Sequence, residues 1–148
     1  MDIKFRSINK VELPQLLELY TYLNPEDPPL DEQTQQTVWE EILDDPKISC
    51  IVAADGDRLI ASCTLIIVPN LTRAARPYGV IENVVTNPDY RHQGIGTRML
   101  QYTLSLAWAQ NCYKVMLMTG RKDESTLRFY EKAGFERGLK TAFLAKPH

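Results

Sequence analysis

The chain has little of what would place it in several familiar classes. Three cysteines in 148 residues, Cys50, Cys63 and Cys112, are odd in number and scattered through apolar contexts. That spacing offers neither a disulfide framework nor a zinc site, and it suits small core residues in a reducing compartment. No apolar run approaches the roughly 18 residues that a membrane span needs. Met1-Asp2-Ile3-Lys4-Phe5-Arg6 contains no apolar signal core, so a cytoplasmic protein without a membrane partner is expected. Basic excess is missing as well: 17 Lys and Arg stand against 19 Asp and Glu, a formal charge of −2. This argues against a nucleic-acid partner, which normally requires a basic stripe. With no cluster of ligand-type residues, no metal is expected. Repeats, low-complexity tracts and linkers are absent too, so residues 1–148 read as one domain.

What is present reads as a globular mix of strands and helices. Ile3 to Ile8 alternates apolar and polar residues, as a half-buried strand does. Leu13, Leu16, Leu17 and Tyr20 recur at helical spacing, with Pro14 tolerable in the first turn. Pro25, Pro28 and Pro29 impose a loop, and Asp31 to Leu43 reads as a second helix. Ile48–Ala54 and Arg58–Val68 are apolar runs joined by Asp55-Gly56-Asp57, a hairpin signal. Tyr78–Thr86 is a further strand, Gly94–Asn111 a long helix, and Tyr113–Met118 a strand. Glu124–Ala133 is a short helix capped by Asp123 and ended by Gly134; Lys140–Lys146 alternates again as a final strand. The order β-α-α-β-β-β-α-β-α-β implies an α+β (mixed α/β) fold, with a mixed, mostly antiparallel sheet flanked by helices.

The chemistry gathers at Arg91-His92-Gln93-Gly94-Ile95-Gly96, between the Tyr78–Thr86 strand and the long helix. Two glycines one residue apart let backbone N–H groups approach an anion, and the helix N-terminus adds a favourable dipole. The plain alternative is a tight packing turn. A dinucleotide fingerprint needs a third glycine where Met99 stands and an acid near Lys114; a Walker loop needs Gly-Lys-Ser/Thr, which is missing.

Arg91-x-x-Gly94-x-Gly96 resembles the Arg/Gln-x-x-Gly-x-Gly/Ala signature of the GNAT superfamily of acyl-CoA N-acyltransferases. Some 30 residues on, Leu127-Arg128-Phe129-Tyr130-Glu131-Lys132-Ala133-Gly134-Phe135 is similar to that superfamily's Tyr-Glu-Lys-x-Gly-Phe segment. Together with Ile81-Glu82-Asn83-Val84-Val85 and Cys112-Tyr113-Lys114-Val115, it resembles the glucosamine-6-phosphate N-acetyltransferase branch, although Asn83 stands where that branch carries an acid.

The resemblance implies acetyl-CoA as cosubstrate. Its pyrophosphate would lie on the backbone of His92, Gln93, Gly94, Ile95, Gly96 and Thr97, with Arg91 beside it. It implies a bulge that splays Tyr78–Thr86 from Tyr113–Met118, with the pantetheine arm bonded to the backbone of Val84 and Val85 and a contact from Ser125. Glu82, in an otherwise apolar strand where burial would raise its pKa, is the candidate base; solvent exposure by simple alternation is the alternative. Tyr130 is the candidate group at the departing sulfur, and the Val84 N–H the oxyanion donor. No cysteine has charged neighbours that would lower its pKa, which points to direct attack by the amine in a ternary complex. For the acceptor, Asn83, Arg73 and Arg76 are candidate contacts. Glu26 to Asp45 carries acids and no base, either a lure for a cationic amine or a solvated face. An amino-sugar phosphate or other small amine is the expected substrate, and a homodimer is compatible with the resemblance. The rival readings are a non-catalytic acyl-CoA sensor and a protein lysine or N-terminal acetyltransferase on the same fold.

Overall fold

The computed structural model describes residues 2–148. Five strands form one sheet in the order β1-β2-β3-β4-β5. They are β1 (Ile3–Ser7), β2 (Ile48–Asp55), β3 (Arg58–Val68), β4 (Tyr78–Thr86) and β5 (Val115–Leu117). The first four pair antiparallel, and β4 pairs parallel with β5. Helices α1 (Leu13–Leu23) and α2 (Glu32–Asp44) precede β2; α3 is a single turn (Thr72–Ala75); α4 (Ile95–Ala109) and α5 (Glu124–Ala133) flank β5. None of these helices is long and apolar enough to cross a membrane.

Local chemistry accounts for most boundaries. A turn at Gly56-Asp57, with Gly56 left-handed, joins β2 to β3. The Asp31 carboxylate accepts from the Thr34 N–H at 2.9 Å and starts α2; the Asp123 carboxylate accepts from the Thr126 N–H at 3.1 Å and starts α5. Left-handed Gly134 ends α5. In α2 the buried residue is Trp39, whose ring N–H donates to the Lys10 carbonyl at 2.9 Å.

The sheet is covered on both sides. One face carries Ile51, Ala61, Cys63, Leu65 and Ile81 against Ile95, Met99, Leu100 and Ala107 of α4. The other carries Cys50, Val52, Leu59 and Val85 against Leu13, Leu16 and Leu19 of α1 and Trp39 of α2. Strands buried on both faces are rich in branched apolar residues, which is why β2 and β3 read as near-continuous apolar runs.

The expected order holds as far as α5, but the expected strand at Lys140–Lys146 is not formed: this segment is irregular and exposed. Arg137 forks onto Glu124 with two contacts of 3.0 Å and reaches Glu131 at 3.4 Å, fixing where the chain leaves α5. Beyond it, alternation without a neighbouring strand to pair with does not make a strand. β5 is likewise shorter than the expected Tyr113–Met118.

Candidate active site

The site is built around an irregularity in β4. Along β3–β4, Thr64 pairs with Glu82 and Ser62 with Val85, so Cys63 alone opposes both Asn83 and Val84. One extra residue has been inserted, and Asn83 takes it up with φ +55°. Asparagine is among the few residues that tolerate this region. The insertion reverses side-chain parity: Ile81 and Val84 pack on the α4 face, whereas Val85 packs on the α1 face. An unbroken strand would place Ile81 and Val85 on the same side.

Pairing on the opposite flank of β4 stops just before the bulge. Gly79, Val80 and Ile81 pair with Val115, Met116 and Leu117, and β4 then runs on to Thr86 without β5 beside it. The expected splay is present. From Glu82 to Thr86 that flank of β4 has no paired strand, and an extended arm could bond there to the backbone of Val84 and Val85 as an added strand does.

At the far end of β4 lies the turn into α4. Gly94, at φ +77°, is its N-cap. The first backbone bond into the helix runs from the Arg98 N–H to the Gly94 carbonyl at 3.1 Å. Among the described residues, the N–H groups of His92, Gln93, Gly94, Ile95, Gly96 and Thr97 donate to no protein acceptor. Unpartnered donors at a helix N-terminus suit an anion. Arg91 donates from Nε to the Thr86 carbonyl at 3.2 Å, and His92 is exposed with φ +62°.

The two glycines do different jobs. Gly94 has open space around it and is needed for its backbone conformation. At Gly96 a Cβ would lie 2.9 Å from the Phe129 ring, so this glycine lets α5 close onto α4. The packing role weighed as an alternative for the whole motif therefore belongs to Gly96.

Tyr130 lies on the α4 face, half-buried, between Phe129 (ring centroids 4.9 Å apart) and Phe135 (6.3 Å). Burial pushes its pKa up, the nearby Cys63 adds to this, and Arg121 opposes it. Cys63 approaches the Thr103 hydroxyl at 3.3 Å, and that hydroxyl donates to the Met99 carbonyl at 2.8 Å. The thiol is therefore the donor to Thr103. Burial pushes the Cys63 pKa up to about 12 and raises Cys50 and Cys112 as well. None is prepared as a nucleophile.

Glu82 and Asn83 are exposed. The burial expected for Glu82 is absent: it is the last paired residue before the bulge, with Thr64 as register partner, and by simple alternation with buried Ile81 its carboxylate emerges on the α1 side. The Ser125 hydroxyl donates to the Asp123 carboxylate at 2.7 Å and belongs to the cap of α5. Arg73 and Arg76 stand at the opposite end of β4 from the cradle. Arg73 lies over the Tyr113 ring at 5.7 Å, while Arg76 donates to the Asn111 and Cys112 carbonyls, both at 3.2 Å. Glu82, Asn83, Val84 and Val85 thus lie on β4, which leads to the turn of free N–H groups, and Tyr130 packs on the α4 face; the two arginines are engaged elsewhere. No group of residues that could hold a metal is found among the described residues.

Tyr20, whose apolar spacing marked it as a helical core residue, packs half-buried against the cluster on the α1 face, and burial pushes its pKa up to about 12.

A sheet opened at its parallel pair, with free helix N-terminal donors at one end of the opening, is an arrangement suited to a ligand that combines a phosphate group with an extended arm. Comparison with known proteins agrees. Residues 16–135 match the model of the Acetyltransferase (GNAT) family. The chain is 33% identical over 140 residues to a glucosamine 6-phosphate N-acetyltransferase of Trypanosoma brucei brucei, covering 91% of this chain and 90% of that one. A putative acetyltransferase from Agrobacterium tumefaciens superposes with a TM-score of 0.92 at 44% identity, over 97% of this chain and 99% of the other. Glucosamine-6-phosphate N-acetyltransferase from Arabidopsis thaliana, at 20% identity, shares the fold with a TM-score of 0.84 over 99% of each chain. This chain belongs to the GNAT acetyltransferase family, as an acetyl-CoA-dependent N-acetyltransferase.

Proposed function

We propose that the protein moves an acetyl group from acetyl-CoA to the primary amine of an amino-sugar phosphate, by direct attack within a ternary complex. The observation that carries the reading is the coincidence, on one strand, of the bulge at Asn83, the end of β5 pairing and the free N–H groups from His92 to Thr97. The pyrophosphate rests on those N–H groups with Arg91 beside it, and the pantetheine arm bonds to Val84 and Val85. Val84, with no partner residue in β3 or β5, offers its N–H to the thioester oxygen as negative charge develops. The amine nitrogen forms its bond to the carbonyl carbon, the carbon–sulfur bond breaks, and the amine proton passes to Glu82 directly or through water. Tyr130 donates a hydrogen bond to the departing thiolate. Asn83 faces the acceptor. Ser125 remains a candidate contact to the arm, though its hydroxyl would first have to leave Asp123.

The acceptor class is supported by the Trypanosoma relative, a glucosamine 6-phosphate N-acetyltransferase that aligns over nine-tenths of both chains. A homodimer is part of the proposal, supported by an open β5 edge and an apolar tail that finds no cover within the chain.

Calorimetric titration with acetyl-CoA, ATP and NAD tests the cradle, followed by thiol release from acetyl-CoA in the presence of glucosamine 6-phosphate. Micromolar acetyl-CoA binding and amine-dependent thiol release are expected. Failure to bind acetyl-CoA overturns the site; binding with no release on glucosamine 6-phosphate overturns the acceptor.

A further inference from the structure

One patch on the α1 side of the sheet is left without cover. Ile81 of β4 and Val115 and Leu117 of β5 pack with the α4 cluster, and a Cβ on Gly79 would meet Val115 and Leu65 there. Alternation therefore sends Tyr78, Val80 and Glu82 of β4 to the other face, with Met116 of β5 and Lys114 just before it. Strand pairing sets Ile66, Val80 and Met116 side by side in one row. All three are half-buried, and none belongs to either hydrophobic cluster. Helix α1 seats its leucines further along, on Cys50, Val52 and Val85. The face is thus covered by α1 beyond the bulge and open from Glu82 back to Tyr78.

The two ends of this trough carry opposite charge. Exposed Glu82 stands at one end. Lys114 stands at the other, its backbone held beside β4: the Gly79 N–H donates to the Lys114 carbonyl at 2.9 Å, and the Tyr113 N–H to the Pro77 carbonyl at 3.0 Å. The Lys114 ammonium lies over the Tyr78 ring at 5.4 Å and the Tyr113 ring at 5.3 Å, two rings set edge-on with centroids 6.4 Å apart. The rings steady the cation. The Arg73 guanidinium lies over the same Tyr113 ring at 5.7 Å. Neither cation makes an ion pair among the described residues. Two like charges brought to one ring repel each other, and an anion between them relieves this.

We infer that this trough seats the acceptor and that Lys114 determines its specificity: the amine lies at Glu82, the carbon skeleton over Val80 and Met116, and the phosphate on Lys114, with Arg73 adding to the field. The inference rests on the acetyl-transfer reading and deepens it. Four residues of strand from Tyr78 to Glu82, at about 3.3 Å each, span roughly 13 Å. Ionic contacts of about 2.8 Å at both ends leave roughly 7–8 Å between amine nitrogen and phosphate oxygen, the span of one small molecule. The amine then meets the thioester from the α1 side, while Tyr130 stands on the α4 side. An amine without an acid group would leave Lys114 unanswered.

The test compares turnover on glucosamine 6-phosphate with turnover on glucosamine, which offers the same amine without the phosphate. Lys114→Met keeps an unbranched side chain on the two rings and removes the charge. Lys4→Gln, the control, removes one positive charge from β1 at the far edge of the sheet. Wild type should favour the phosphate ester about a hundredfold in kcat/KM, and Lys114→Met should lower that preference about thirtyfold, through KM for glucosamine 6-phosphate. Acetyl-CoA affinity and kcat/KM on glucosamine should stay within about threefold of wild type, less than the loss of one charged hydrogen bond. Lys114→Arg should restore most of the preference, and Lys4→Gln should keep all of it. An unchanged preference in Lys114→Met overturns the inference, as does an equal loss on both acceptors, which would mean a general structural role. Methyl NMR reads the site without turnover. With CoA present to occupy the cradle, inorganic phosphate should shift the Met116 methyl in wild type and not in Lys114→Met, while buried Met99 stays unchanged in both. If wild type acetylates neither amine, the amino-sugar reading falls and this titration alone decides; no shift at Met116 then overturns the site.

Discussion

Tyr130 is a weaker acid in this fold than in water, because burial raises its pKa while an ordinary thiol loses its proton near ~8.5. Complete proton transfer from the phenol to the departing thiolate is therefore uphill, and a hydrogen bond that stabilises the thiolate is the role consistent with the site. Tyr130→Phe should lower kcat about a hundredfold and leave acetyl-CoA affinity nearly unchanged, as steady-state kinetics and calorimetry will show. Unchanged turnover would remove its part in the reaction. Glu82 is exposed on the α1 side of β4. Glu82→Gln should lower kcat/KM about a hundredfold and leave acetyl-CoA affinity near that of wild type; unchanged turnover would remove Glu82 from the proton transfer.

Elements transmit these effects through a few contacts. Gly96 admits Phe129 between α4 and α5, and Phe129 in turn packs edge-on against Tyr130. Gly96→Ala must push that ring aside, so a loss of about 1–3 kcal/mol in thermal or denaturant unfolding is expected. Kcat should fall more than coenzyme affinity, since the N–H donors remain while Tyr130 moves. The reverse pattern would place the main role of Gly96 in the cradle. At the other end of the chain, Glu12 accepts two 2.8 Å bonds from Arg6 of β1 and one from the Asn9 N–H. The Arg6 contact, with the Asn9 bond, holds the Glu12 carboxyl below the usual range. A depressed folded-state pKa stabilises above the unfolded value of ~4.3 and is lost as pH falls through the folded value. Glu12→Gln should therefore cost about 1 kcal/mol at pH 7, given the partial exposure of Arg6, and the gap from wild type should close towards pH 3 in a series of melts.

At the scale of the whole molecule, the β5 edge of the sheet is unpaired among the described residues. β5 borders the sheet, and the tail beyond Arg137 exposes Leu139 by 73%, Phe143 by 90% and Leu144 by 75%. Apolar groups so exposed, together with a strand edge without a neighbour, suit burial against a second copy. Light scattering of the full chain should give a dimer mass, and truncation after Gly138 should give a monomer that keeps its fold. A truncated dimer would locate the interface elsewhere, and a monomeric full chain would end the proposal of pairing.

The succession of elements was legible because periodicity, capping and turn chemistry are local: the spacing of Leu13 and Leu16, the Asp123 cap and the Gly56 turn all act within a few residues. The cradle was legible for the same reason, since a left-handed glycine before a helix and the donors behind it are contiguous in the chain. Its family resemblance added the bulge and the splay, which the sheet then displayed. An asparagine inside an apolar strand was the one local hint of the bulge, because asparagine tolerates the left-handed region. Tertiary structure alone decided the rest. Which face Val85 takes depends on an insertion counted against β3, and what Gly96 is for depends on a ring in α5. The alternation at Lys140–Lys146 was real in sequence but made no strand, because a strand is stabilised by its neighbour and the chain does not supply one there.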